Sequence, residues 1–143
     1  VWRMRLKEGS SLVKILVISL FLSVAVFLRS VGGHVEGYLF PVATLDRIER
    51  IEKVNAISVR IWGQAARLRQ CQFTRLEWRL GDEHAYSVVD LAFEESSKVR
   101  AAGDFSFGPW RLHLTGKQLQ KRSYAYVYHR CHRLWLTRTR FYG

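Results

Sequence analysis

The run Leu12-Val-Lys-Ile-Leu-Val-Ile-Ser-Leu-Phe-Leu-Ser-Val-Ala-Val-Phe-Leu28 constrains this chain more than any other segment. From Ile15 to Leu28 it carries no charge, no Gly and no Pro. Its only polar groups are the Ser19 and Ser23 hydroxyls, which can return a hydrogen bond to the carbonyl one turn back. A helix lining a soluble core shows a polar stripe, and this run shows none. At about 1.5 Å per residue it spans about 25 Å, slightly short of the ~30 Å hydrocarbon core of a bilayer. Lys14 and Arg29 can snorkel to the two interfaces and make up the difference. The run predicts a transmembrane helix over residues 12–29.

The flanks set an orientation. Arg3, Arg5, Lys7 and Lys14 stand on one side against a single acid, Glu8, whereas no Lys or Arg follows Arg29 until Arg47. The positive-inside rule then keeps residues 1–11 in the cytoplasm and exports the rest, giving a single-pass protein of the cytoplasmic membrane. The rival reading is a cleaved signal peptide with Ser30-Val31-Gly32 as its processing site. Arg29 directly before that site argues for a retained anchor. Trp2 would sit at the inner interface.

Beyond the anchor, Ser30-Val-Gly-Gly-His-Val-Glu-Gly37 reads as a flexible exit within a linker over 30–43. Leu45, Ile48 and Ile51 then recur at helical spacing, with Asp46/Arg50 and Glu49/Lys53 as i,i+4 pairs, so a short amphipathic helix is expected over Thr44–Val54. From Ile57 the period changes to two. Ile57–Ile61, Thr74–Leu80, Tyr86–Phe93, Trp110–Leu114, Tyr124–Tyr128 and Leu134–Phe141 are β-branched or aromatic runs. Turn signals at Gly63-Gln, Gly81-Asp, Gly103-Asp, Gly108-Pro and Thr115-Gly separate them. The fold class expected is mainly β: an antiparallel β-sandwich or open barrel of about six strands over residues 44–143, with a leading helix. Hydrophobic content of 48% and aromatic content of 13% support one packed domain.

Cys71 and Cys131 are the two cysteines, each in an expected strand. On the exported side such a pair forms a disulfide, and closing a loop of about sixty residues stabilises by about 4 kcal/mol in the chain-entropy model. Cys131 also lies in His129-Arg-Cys-His132, which has the composition of a metal site. Along one strand, however, His132 faces away from His129 and Cys131, and no C-x-x-C or H-x3-H spacing completes a zinc set. No metal and no cofactor is expected.

The net charge of +11 is unevenly placed. Arg111, Lys117, Lys121, Arg122, Arg130, Arg133, Arg138 and Arg140 fall in a C-terminal quarter without a single acid. Tyr124, Tyr126 and Tyr128 alternate along one face there, with Trp135 nearby. Such a face can stack bases with arginines on phosphates, or it can be cross-strand packing with Arg stems lying on the rings. Export argues against nucleic acid. Arg122, Tyr124, Tyr126, Tyr128, Arg130, Arg133, Trp135, Arg138 and Arg140 are therefore the candidate contacts for a protein partner, a second copy of the chain, or an anionic lipid surface. No G-x-S-x-G, Walker loop or dinucleotide fingerprint is present, and Glu94-Glu95 beside Ser96-Ser97-Lys98 reads as a solvated loop. A non-catalytic binding or assembly module is expected.

The closing run His129-Arg-Cys-His-Arg-Leu-Trp-Leu-Thr-Arg-Thr-Arg-Phe-Tyr142, with Phe107-Gly-Pro-Trp110 ahead of it, resembles small membrane proteins encoded by bacteriophages. The resemblance covers the C-terminal third and carries no functional residues. It implies lysis control, exclusion of competing phage, or virion or envelope assembly. A cytoplasm-facing nucleic-acid-binding domain is the remaining alternative.

Overall fold

The structure, a computed structural model, describes residues 2–96 and 102–143, with side chains from Ser11 onward. Trp2's side chain, Ser97 and Lys98 therefore lie outside the described set. Helix α1 (Trp2–Leu39) precedes strands β1 (Ala43–Asn55), β2 (Ser58–Arg67), β3 (Gln72–Gly81), β4 (Tyr86–Val89), β5 (Leu91–Phe93) and β6 (Gly103–Leu112). A short helix α2 (Gly116–Arg122) and strands β7 (Ser123–Arg130) and β8 (Thr137–Tyr142) complete the chain.

Over Ser11–Leu39, α1 is long and apolar enough to cross a membrane. Every side chain from Leu12 to Leu28 is exposed in the isolated chain. The helix does not stop at Arg29, and this corrects the flexible linker. Gly32, Gly33 and Gly37 continue the helix and pack on the Trp135 ring, on Leu136 just before β8, and on β8 itself; a Cβ at Gly33 or Gly37 would overlap the carbonyl oxygen of Leu136 or Arg138. These glycines serve close approach, not flexibility.

The strands form two antiparallel four-stranded sheets, β1-β2-β6-β5 and β4-β3-β7-β8, so the architecture is a β-sandwich. Its core draws Ile61 and Ala65 from β2, Trp78 from β3, Phe107, Trp110 and Leu112 from β6, Ala125 and Val127 from β7 and Phe141 from β8. The amphipathic helix expected over Thr44–Val54 is strand β1. Its pairing with β2 is irregular after Leu45, Ile48 and Lys53, and Leu45, Ile48 and Ile51 lie opposite Ala65, Gly63 and Ile61. Each extra residue in a bulged strand moves the inward position from i+2 to i+3, and the bulges thereby imitate a helical period. Glu49 and Arg50, expected to pair one helical turn away with Lys53 and Asp46, instead pair along the strand with Arg47 and Glu52.

Other corrections are local. Tyr86–Phe93 is split between the two sheets, and Gly63 and Gly108 lie inside strands. Thr115-Gly116 opens α2, where Thr115 and Gln118 form a capping box. Glu95 is half-buried; it accepts hydrogen bonds from Trp110 Nε1 (2.6 Å) and Gly108 N (3.1 Å). Cys71 and Cys131 form a disulfide with Cα atoms 4.6 Å apart. They sit just outside β3 and β7 and extend the ladder beyond Gln72–Arg130, so the bridge joins two strands of one sheet and does not cross between sheets.

Candidate functional site

β8 is the outer strand of its sheet, and α1 covers that edge. The glycines of α1 bring the helix backbone onto that edge. One carboxylate then fastens the junction. Glu36 Oε1 accepts from Arg69 (2.9 Å), and its Oε2 accepts from His132 Nε2 (2.9 Å), Trp135 Nε1 (2.8 Å) and Thr137 Oγ1 (2.9 Å). His132 Nδ1 accepts the Leu134 N–H, so Nε2 carries the proton offered to Glu36. Burial works against the charge of Glu36, but the hydrogen bonds from Trp135, Arg69, His132 and Thr137 outweigh it and hold the carboxyl well below the usual carboxylate range. Glu36 lies two turns beyond the apolar run, within the part of α1 that belongs to the domain.

The outer face of the β3-β7-β8 sheet is the aromatic–basic face expected from sequence. Tyr124, Tyr126 and Tyr128 are nearly closed to solvent. Arg75 stacks on Tyr128 (4.0 Å), Arg138 on Tyr126 (4.0 Å) and Arg79 on Tyr86 (4.1 Å). The tyrosine hydroxyls are engaged, Tyr124 with Asp82 O, Tyr126 with Glu83 and Tyr128 with Arg79. Arg79 is itself buried and paired with Glu77. These rings are a packed layer and offer no platform for bases.

Along one margin of this layer the charge is uncompensated. Arg29, His34, Arg130, Arg133 and Arg138 line a cleft of about 360 Å³ between α1 and the turn joining β7 to β8. Leu134 and Trp135 complete its wall. No acid lines it. Elsewhere acids meet the arginines: Arg60 and Arg111 pair with Glu94, and Arg140 with Glu83. Burial and the neighbouring Arg138 and Arg79 lower the pKa of His34.

Of the residues singled out in the sequence, the fold therefore gathers Arg29, Tyr128, Arg130, Arg133, Trp135 and Arg138. Arg140 is held by Glu83, and Tyr124 lies deeper in the ring layer. Arg122 ends α2, away from the cleft lining. Lys14 stands about 22 Å back along α1. Glu36, His34 and Arg79 were missed; a lone acid after two glycines was the visible signal for Glu36.

The His129-Arg-Cys-His132 cluster comes apart. Cys131 is in the disulfide and His132 is on Glu36. His129 lines a separate cavity of about 560 Å³ between the sheets, with Phe73, Phe93, Phe105 and Trp110. Its Nδ1 is buried without a hydrogen-bond partner among the described residues, and burial, with Arg67 adding to it, lowers its pKa to about 4. Among the described residues no group of three His, Cys, Asp or Glu could hold a metal ion. No family model, curated protein or solved structure matches the chain.

Proposed function

We propose that this chain is a single-pass membrane-anchored, non-catalytic binding module whose basic β-sandwich engages an anionic surface. The observation that carries the reading is the junction at Glu36. The last turns of the apolar helix are part of the domain, so the arginine-lined margin is held at a set height just beyond the apolar run. A tether that only localised a domain would need no such joint. The leader charges at Arg3, Arg5 and Lys7 favour the orientation with those residues inside and the sandwich exported, and the Cys71–Cys131 bridge fits an oxidising compartment.

Fractionation and thiol labelling test this together. The full chain is expected in the membrane fraction and to resist alkaline extraction. Its thiols are expected to react with an impermeant reagent on intact cells only after an external reductant is added. A chain that is soluble without detergent, or thiols reached only after the membrane is opened, would refute the proposal.

A further inference from the structure

We propose that the cleft between α1 and the β7–β8 turn binds the phosphate of an anionic phospholipid headgroup from the bilayer in which α1 is anchored. The inference rests on the membrane-anchored reading and narrows its anionic surface to one ligand chemistry.

Three observations converge on it. The first is charge. Arg29, Arg130, Arg133 and Arg138 face one cleft with His34 and, among the described residues, no carboxylate. The neighbouring acid, Glu36, is saturated by its own four donors. Arg29, Arg130 and Arg133 have no ion-pair partner among the described residues. Guanidinium groups gathered this way repel one another and await an anion, and their planar forks suit phosphate oxygens.

The second is height. Arg29 directly follows Leu28, the last residue of the apolar run. A cleft that includes it stands where lipid phosphates lie when residues 12–28 fill the hydrocarbon layer.

The third observation separates a lipid from a free phosphate or a nucleic acid. The rim is apolar, with Leu134 63% exposed on the β7–β8 turn. That side chain is unfavourable in water and suited to the acyl–headgroup boundary beside Arg29. The tyrosines that could have stacked bases are packed away beneath arginines.

The test uses the full chain in nanodiscs of phosphatidylcholine, alone or with a minor fraction of phosphatidylglycerol, and counts lipid retained on release by native mass spectrometry. Wild type is expected to retain phosphatidylglycerol selectively. With about 1 kcal/mol for each arginine at the surface, Arg130→Gln/Arg133→Gln should lower the affinity roughly thirtyfold. Lys53→Gln/Lys117→Gln, with the same loss of charge far from the cleft, should leave it unchanged. Arg133→Lys keeps the charge and tests the planar fork, with an expected loss of a few-fold.

Equal losses in both double variants, or no selectivity in wild type, would overturn the proposal. So would inorganic phosphate or a single-stranded oligonucleotide binding through these arginines on phosphatidylcholine discs as tightly as phosphatidylglycerol does. A chain that fails to enter the discs fails the anchored reading itself, a result distinct from insertion without lipid selectivity.

Discussion

Replacing Glu36 by Gln leaves Arg69, His132, Trp135 and Thr137 facing one carbonyl oxygen and an amide where two carboxylate oxygens stood. The donors that lose their acceptor stay partly buried, and the cost is that of unsatisfied groups beside an unpaired guanidinium, about 2 kcal/mol. Thermal unfolding of Glu36→Gln in detergent should show it. His129 supplies the contrasting case. It is 4% exposed, and its pKa is lowered to about 4. The unfolded chain, with an ordinary value near 6.5, therefore takes up a proton that the folded chain refuses. Stability from this residue is complete above the ordinary value and falls as pH drops from about 6.5 towards 4. Glu36, whose folded pKa is lowered, adds a second loss only below the ordinary carboxylate range. Unfolding free energies from urea titrations at pH 7 and pH 5 should differ by about 1–2 kcal/mol in wild type. His129→Leu should remove most of that difference. It should cost little at pH 7, because the orphaned Nδ1 goes with it.

At the scale of elements, the α1–β8 contact sets two effects in opposition. In an ordinary helix Gly→Ala stabilises by up to about 1 kcal/mol. At Gly33 the new methyl meets the carbonyl of Leu136, just before β8, and at Gly37 that of Arg138, whose strand is fixed by β7 on its other side. Gly33→Ala and Gly37→Ala are therefore expected to lower the melting temperature and free the junction to protease; a rise in stability would mean the contact does not form. The bridge beside β3 and β7 closes about sixty residues, and Cys71→Ser/Cys131→Ser should cost about 4 kcal/mol in denaturant.

What could be read in advance follows the same division. Strands such as β7 alternate strictly, Tyr124, Tyr126 and Tyr128 outward and Ala125 and Val127 inward, and were legible. The bulges of β1 mapped Leu45, Ile48 and Ile51 onto a helix-like period, so local pattern pointed the wrong way until β2 supplied the partner. The glycines of α1 have two meanings, flexibility and close approach, and only the edge of β8 decides between them. The arginine cleft was half legible: Arg130, Arg133 and Arg138 stood out by composition, but Arg29 joins them through the packing of α1.

At the scale of the whole molecule, the anchored reading predicts that charge before the apolar run governs covalent chemistry far beyond it. Under the anchored reading, Arg3, Arg5, Lys7 and Lys14 resist crossing and so decide which compartment receives Cys71 and Cys131. If the sandwich is exported, the thiols meet an oxidising milieu and the bridge adds its about 4 kcal/mol. If it is retained, they stay reduced and the same fold stands without that contribution. Arg3→Gln/Arg5→Gln/Lys7→Gln removes most of the leader charge without touching any described contact of the sandwich. The fraction of chains with free thiols, read by alkylation and gel shift, should rise in proportion to the fraction whose sandwich faces the cytoplasm. The retained chains should also be the ones degraded faster. A fully bridged population despite reversed orientation would break the link between leader charge and redox state. It would leave the bridge as a product of geometry alone, since the two cysteine Cα atoms already stand 4.6 Å apart at the ends of paired strands.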